Sequence, residues 1–435
     1  MKAGFSMNYL KKYLKNTGWL ALEQLSRLIT GVLVSLWVAR YLGPEDFGSL
    51  NFIIAFLAIF GSLSKLGMDE IIVKRLVLKN EINTSILATA FKARVIGASL
   101  IILLIILCLN FITLEKELKV LIIISSISFL FQSIEVLDLY FQSIVRVEKI
   151  IIFRVIQLFL SGIIKVLLIL INADLRYFAL MILTDSIILF SLYLIPLFHL
   201  KQLRKFFFGK IDVKTIIKVL NESWPLVLSS IVVAIYMRID QVMIKNLLNS
   251  TELGIYSAAV RISELFYFIP MIIATSIFPS IVELQQGEPK RFNKRVLQFY
   301  TLMAWLAIIF GISTSIFGEF LIEKLYGPAY IVASSILKIH IWSAIFVFLG
   351  VAFNKVLLSQ GLTKIAFKRT LLGAIINVIL NYILIPKFGI FGAAYSTLIA
   401  QFIANLGYDI FDSKIRLHFL LKIKAIFLPF NSFMK

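Results

Sequence analysis

Cysteine is nearly absent from this sequence: Cys108 alone occurs in 435 residues. An intrachain disulfide is therefore excluded, and no thiolate metal centre can be assembled. Histidine is almost as scarce. His199, His340 and His418 stand too far apart for metal-ligand spacing. His340 falls in an apolar run, where a polar group satisfied by a neighbouring helix is expected. No Gly-rich loop ending in Lys-Ser/Thr occurs, which argues against a built-in ATPase. No carboxylate pair lies in an aqueous domain, because no gap between apolar runs is long enough to make one. The chain therefore reads as a non-enzyme that needs no cofactor. Charge is sparse as well, at 16% of residues, where soluble domains carry about 25%.

Apolar side chains fill the space that charge leaves. Hydrophobic residues make up 60% of the chain, Phe alone occurs 38 times, and the mean hydropathy is +0.94. No soluble core needs such an excess. The formal net charge is +20, from 44 Lys+Arg against 24 Asp+Glu. These cations sit between apolar runs, as the positive-inside rule requires. No basic face interleaved with aromatics exists to bind nucleic acid. The partner that composition points to is the lipid bilayer.

A helix needs about 20 mostly apolar residues to cross the hydrocarbon core. About twelve segments meet that requirement, near residues 18–39, 47–67, 84–109, 118–141, 150–171, 175–197, 216–244, 252–280, 296–317, 332–357, 366–386 and 390–410. Lys11, Lys12 and Lys15 precede the first, which is long and reads as a retained span. Short connections alternate the direction of successive spans. With the N-terminus inside, Lys and Arg are about four times as frequent on inner segments as on outer ones. Both termini are thus expected to be cytoplasmic.

Six basic residues lie between Lys201 and Lys218, in the longest gap between spans. That gap divides the chain into six-span halves, 1–205 and 206–410, followed by a basic, amphipathic tail at 411–435. Two halves of this kind suggest an internal repeat. Arg40–Gly48 (RYLGPEDFG) and Asn246–Gly254 (NLLNSTELG) echo one another at the same place in each half. Leu42 matches Leu248, Gly48 matches Gly254, and Asp46 faces Glu252. The expected fold is an all-α integral membrane protein of two six-helix lobes, related by an axis along the membrane normal.

Two segments resemble the polysaccharide-transporter branch of the multidrug/oligosaccharidyl-lipid/polysaccharide exporter superfamily. Ala39–Phe52 (ARYLGPEDFGSLNF) is similar to the end of the first helix in Wzx-type O-antigen flippases. Asn377–Thr397 (NVILNYILIPKFGIFGAAYST) is similar to that family's last two spans. These motifs also have plain architectural meanings. Gly43-Pro44 ends a helix, and Glu45 and Asp46 favour the next helix start. Gly389, Gly392, Ala393 and Ala394 let helices approach closely. The resemblance implies a V-shaped, MATE-like bundle in a bacterial inner membrane. It implies alternating access that moves an undecaprenyl-pyrophosphate-linked oligosaccharide from the cytoplasmic to the periplasmic leaflet. A polysaccharide polymerase and a chain-length regulator are the further candidate partners.

A pyrophosphate carried through a membrane needs cations, and Arg suits it best because its planar fork matches phosphate oxygens. Charges inside spans are costly and therefore functional candidates. Arg27 ranks first, with Glu23 one turn before it on the same face. Arg261 with Glu264, at i, i+3, forms the corresponding pair in the second half. Lys165, Lys338 and Arg154 complete the candidate cavity set. Glu23, Glu264 and Asp240 are candidate sites for coupling to protons or sodium, or else counter-ions; the membrane potential is a further energy source. Pro225 and Pro270 interrupt two spans as kinks or hinges. Alternative readings are a drug or cation exporter of the same fold, which would want an acid-dominated lobe cavity, and a peptidoglycan-precursor flippase. A polysaccharide polymerase or ligase is a different class, and commonly carries a large outer loop that is lacking here.

Overall fold

The computed structural model describes residues 7–79, 84–199, 206–207, 209, 212–285 and 289–427, and every regular element among them is helical. Helix α1 (Met7–Ser64) is bent in two at Gly43, whose φ of 70° and ψ of 176° leave the helical path. Pro44 follows, where a missing N–H costs nothing at a helix start. A turn through Leu66 and Gly67, both with positive φ, leads into α2 (Asp69–Lys79). Next come α3 (Thr84–Phe111), α4 (Lys116–Ser126), α5 (Ser128–Gln132), α6 (Val136–Ser143), α7 (Glu148–Leu170) and α8 (Leu175–His199). The second half contains α9 (Val213–Leu247), α10 (Ser250–Glu264), α11 (Phe268–Gln285), α12 (Pro289–Tyr326), α13 (Ala333–His340), α14 (Ser343–Ser359), α15 (Thr363–Phe388) and α16 (Ile390–Asn405). Helix α17 (Arg416–Phe427) closes the described chain.

Among the described residues, eleven helical stretches are long and apolar enough to cross a membrane. They coincide with the twelve spans read from sequence, because the first, Leu22–Val77, carries two of those spans on either side of Gly43. The protein is a multi-pass membrane protein. Its surface fits that solvent: Ile152, Ile156, Phe159, Ile163 and Leu167 form an exposed stripe at helical spacing along α7. Such a stripe would be intolerable in water and is what lipid requires.

Contacts divide the chain into two compact units. Unit 1 is Met1–Leu42 with Ile53–Ala234, and unit 2 is Gly43–Phe52 with Ile235–Lys435. Unit 1 therefore extends past residue 205 into the N-terminal half of α9. Its core joins Ile72, Leu76, Val136, Leu137 and Tyr193. The core of unit 2 joins Phe299, Tyr300, Phe348, Phe353 and Val356.

The repeat suspected from sequence has counterparts in the helices. The fourth span of the first half is broken between α4, α5 and α6, with a 3-10 turn at Ser133–Glu135. The fourth span of the second half is broken at the same stage, between α13 and α14. The echo segments also touch reciprocally within unit 2. A Cβ on Gly48 would lie 1.8 Å from the Ser250 carbonyl oxygen, and one on Gly254 would lie 1.9 Å from that of Pro44. Pro44 and Ser250 occupy equivalent places in the echo, so the two glycines make the same approach in opposite senses. Their identity has a physical cause: two backbones meet there and leave no room for a side chain.

The second motif is architectural in the same way. A Cβ on Gly392 would fall 2.2 Å from the Leu384 carbonyl, so the α15–α16 hairpin closes on bare backbone. The tail behaves differently from the sequence expectation. In its described part, α17 packs on α12 with His418, Lys422 and Ala425 buried, so Lys422 is not on a solvated basic face. Residues 428–435 lie outside the described residues.

Candidate functional site

The strongest sequence candidates of unit 1 form one network. Glu23 is buried on α1 and accepts from Arg27 Nη2 at 3.0 Å, one turn away. It also accepts from Arg154 of α7, whose Nη1 lies 3.2 and 3.3 Å from its two oxygens. The other nitrogens of Arg154 reach Asp138 and, at 3.1 Å, the Tyr193 hydroxyl. Tyr193 itself donates to Asp138 at 2.7 Å. Four helices thus converge on Arg154, whose planar fork spans two carboxylates and a phenol. The i, i+4 pair of Glu23 and Arg27 was legible in the sequence; the arrival of Arg154, Asp138 and Tyr193 was not. Arg27 keeps a 55% exposed side chain, while that of Arg154 is 28% exposed. Arg27 is the more available cation, and Arg154 holds the network together.

Lys165 lies apart from that network. It donates to Ser161 at 2.8 Å on its own helix and to Asp185 of α8 at 3.2 Å. Asp185 in turn lines a cavity of unit 1, of about 780 Å³. Its wall includes Gly61 and Ser62 of α1, Lys65 just after it, Phe129 and Gln132 of α5, Asp185 and Ser186 of α8, and Ser230 of α9. Asp69 and Glu70, just beyond the Gly67 turn, line it too. Gly67 is demanded by packing as well as by its positive φ, since a Cβ there would meet the Val227 nitrogen at 2.9 Å. The cavity is a tertiary product of five helices, and no local spacing in the sequence marks it.

Arg27, Arg154 and Lys165 do not line this cavity. Its ionisable wall is one cation, Lys65, against three carboxylates. Lys65 pairs with Glu135 at 3.4 Å, and Asp69 is held by Arg94. The anion-binding lobe expected from sequence is therefore not found at this cavity.

In unit 2 the expected Arg261–Glu264 pair is not the one that forms. Glu264 pairs with Arg238 of α9 at 3.5 Å, while Arg261 makes no ion pair among the described residues. The regular helix ends at Glu264, where the 3-10 turn Leu265–Tyr267 begins, and Arg238 approaches from a facing helix. Lys338 pairs with Glu319 at 3.5 Å, with both side chains well exposed. Asp240 is buried without a cation at ion-pair distance among the described residues. It accepts from the Tyr256 hydroxyl at 2.5 Å and the Gln241 amide at 2.7 Å. His340 shares a 2.6 Å hydrogen bond with Ser263, as expected of a satisfied polar group. Among the described residues no cluster of His, Cys, Asp and Glu is fit to hold a metal.

Comparison with known proteins gives this architecture a context. The family model described as polysaccharide biosynthesis protein matches residues 13–285, and the MatE model matches residues 225–383. The capsular polysaccharide biosynthesis protein CapF of Staphylococcus aureus is 23% identical over 414 residues, covering 92% of this chain and 99% of CapF. The probable flippase AglR of Haloferax volcanii is 29% identical over 176 residues, 39% of this chain and 37% of AglR. Among solved structures, the lipid II flippase MurJ in an inward closed conformation superposes with a TM-score of 0.69 at 18% identity, covering 95% of this chain and 91% of MurJ. An inward-facing MATE multidrug transporter of the MOP superfamily gives 0.65 at 13% identity, with 96% and 99% covered. These two likenesses are of fold.

Proposed function

Because the chain belongs to the polysaccharide biosynthesis protein family, we propose that it is a flippase for a lipid-linked glycan. The substrate we infer is an undecaprenyl-pyrophosphate-linked oligosaccharide, the precursor of O-antigen, capsule or a similar surface polymer. It moves from the cytoplasmic to the periplasmic leaflet of a bacterial inner membrane by alternating access, with both termini cytoplasmic. CapF is described as a capsular polysaccharide biosynthesis protein and AglR as a probable flippase, and together these descriptions support the reading. The protein acts as a transporter and not an enzyme.

The observation that carries the reading is the Arg27–Glu23–Arg154–Asp138 network in a bundle with lipid-facing flanks. Charges at membrane depth are retained for function or for one another. Arg27 is half free of its partner and is the candidate contact for the pyrophosphate. Glu23 and Glu264 each answer an Arg and serve as counter-ions. Asp240 has no such partner among the described residues and is held by the Tyr256 hydroxyl and the Gln241 amide. It is therefore the candidate coupling site. A polymerase and a chain-length regulator are proposed partners downstream.

One observation favours a second reading, a cation exporter of the same fold. The cavity of unit 1 has three carboxylates and one lysine, which suits a cationic cargo. A deletion strain decides between them. Loss of surface glycan, with lipid-linked repeats accumulating inside, is expected on deletion, with rescue by wild type. Arg154→Met, at equal protein level, is expected to restore at most a tenth of the glycan. Normal glycan in the deletion strain, together with sensitivity to organic cations, would replace the flippase reading by the exporter.

A further inference from the structure

The cavity of unit 1 has a chemistry that the pyrophosphate does not explain. Its volume of about 780 Å³ falls within the range of about 300–1,000 Å³ usual for small-molecule sites. That is room for a short saccharide. Between the ionisable groups the wall carries the hydroxyls of Ser62, Ser128, Ser186 and Ser230 and the Gln132 amide, set among the apolar side chains of Ile54, Leu57, Ile182 and Leu226. The Gln132 amide nitrogen is committed, to Ser186 at 3.2 Å and Ser128 at 3.5 Å, so its carbonyl oxygen is the end left to accept. Asp185 Oδ2 accepts the Lys165 bond, while its buried Oδ1 has no hydrogen-bond partner among the described residues. Glu70 makes no ion pair among the described residues. The polar part of the wall thus offers acceptors, the Gln132 carbonyl oxygen and the Asp185 and Glu70 carboxylates.

Acceptors without a protein donor favour a ligand that brings O–H or N–H groups. Sugar hydroxyls, acetamido N–H groups and ammonium groups are such donors. Phe129 adds an apolar ring to the same wall, and its ring edge would lie 3.0 Å from a Cβ on Gly61. The cations near the cavity cannot serve an anion freely. Lys65 answers Glu135, Lys165 answers Asp185, and Arg94 answers Asp69. A phosphate or a uronate carboxylate placed here would face the carboxylates of Asp69, Asp185 and Glu70, the last without an ion-pair partner among the described residues, and would find Lys65 already paired with Glu135.

We propose that this cavity, built on Gln132, Asp185 and Glu70, binds the glycan portion of the substrate and selects uncharged or amino-bearing sugars over acidic ones. The proposal rests on the flippase reading and deepens it. It separates two tasks: the pyrophosphate belongs with exposed cations such as Arg27, and the sugar belongs in the acceptor-lined cavity. Donor-hungry walls also explain how an acid-weighted cavity can serve a substrate whose lipid end is an anion.

The test uses the full-length protein in nanodiscs and three probes: farnesyl pyrophosphate, and the same lipid linked to N-acetylglucosamine or to glucuronic acid. N-acetylglucosamine is expected to tighten binding at least tenfold over the bare lipid, and glucuronic acid to give no gain. Asp185→Asn and Glu70→Gln should shrink that difference to threefold or less. Gln132→Leu should weaken the N-acetylglucosamine probe alone, and its elution profile and melting temperature show whether it folds. Equal or tighter binding of the glucuronate probe by wild type overturns the proposal. So does an unchanged sugar preference in folded Gln132→Leu and Asp185→Asn. If no sugar adds affinity while the deletion strain still loses its glycan, the cavity assignment fails and the flippase reading stands. If the deletion strain keeps its glycan, the flippase reading fails as well.

Discussion

Units 1 and 2 bury similar groups in opposite ways. In unit 1 a single arginine, Arg154, answers two carboxylates, and its side chain stays 28% exposed. In unit 2 a single carboxylate, Asp409, answers two cations and is sealed. Lys422 Nζ reaches it at 2.5 Å and Arg369 Nε at 3.4 Å, all three side chains being buried. Aromatic faces complete the second cluster: Phe353 lies 3.8 Å from the Lys422 ammonium and 4.5 Å from the Arg369 guanidinium. The contrast separates charges kept within reach of a substrate from charges used as an anchor. Lys422 is the anchor of α17, and the rings supply the attraction that one carboxylate cannot share between two cations.

The sharpest way to break this comparison is Asp409→Ala. It strands two buried cations, and removing one partner of a buried pair costs about 3–5 kcal/mol. Thermal unfolding in detergent should show the loss, with α17 becoming open to proteolysis. Lys422→Met leaves the Arg369–Asp409 pair balanced and should cost far less. Equal losses in the two variants would mean that Asp409 is not the centre of the cluster.

The next effect is one of pH. Burial, then the charges of Lys422 and Arg369, pushes the His418 pKa from 6.5 down to about 4. The folded state therefore binds this proton less readily than the unfolded chain. Its contribution is complete above pH 6.5 and is lost as pH falls from 6.5 toward 4, up to roughly 3 kcal/mol. Melting temperature against pH should flatten over that window in His418→Gln. A wild-type curve already flat there would contradict the sealed picture.

A third test compares the two halves of the echo. Gly48→Ala and Gly254→Ala each force a methyl into opposing backbone, at an expected cost of about 1–3 kcal/mol. Because the approach is reciprocal, similar losses are expected, measured as midpoint shifts in denaturant. One tolerated and one damaging variant would break the symmetry. The smallest effect belongs to Lys338→Ala. Its exposed bond to Glu319 should contribute at most about 1 kcal/mol. Glycan export should be unchanged, and a severe defect would restore Lys338 to the substrate path.

Much of the fold was legible because lipid imposes a one-dimensional rule. A span must be about 20 apolar residues long whatever it packs against, so hydropathy alone finds the spans. Short-range pairs are legible for a related reason: Glu23 and Arg27 share a helix face at i, i+4 wherever the helix sits. Arg261 and Glu264 show the limit of that argument. Their spacing is favourable, yet Arg238 from another helix takes the carboxylate. The cavity was illegible, since Lys65, Gln132, Asp185 and Ser230 lie on four segments far apart in sequence.

The sequence by itself determined a many-spanning helical membrane protein and the positions of its spans. Those features follow from local composition. The tertiary structure alone decided which charge answers which, that Lys422 points inward, that Gly48 and Gly254 sit where two backbones meet, and which side chains share the cavity wall. Such properties depend on distances between helices, and a Coulomb or hydrogen-bond partner is chosen by a few ångströms that no residue spacing encodes.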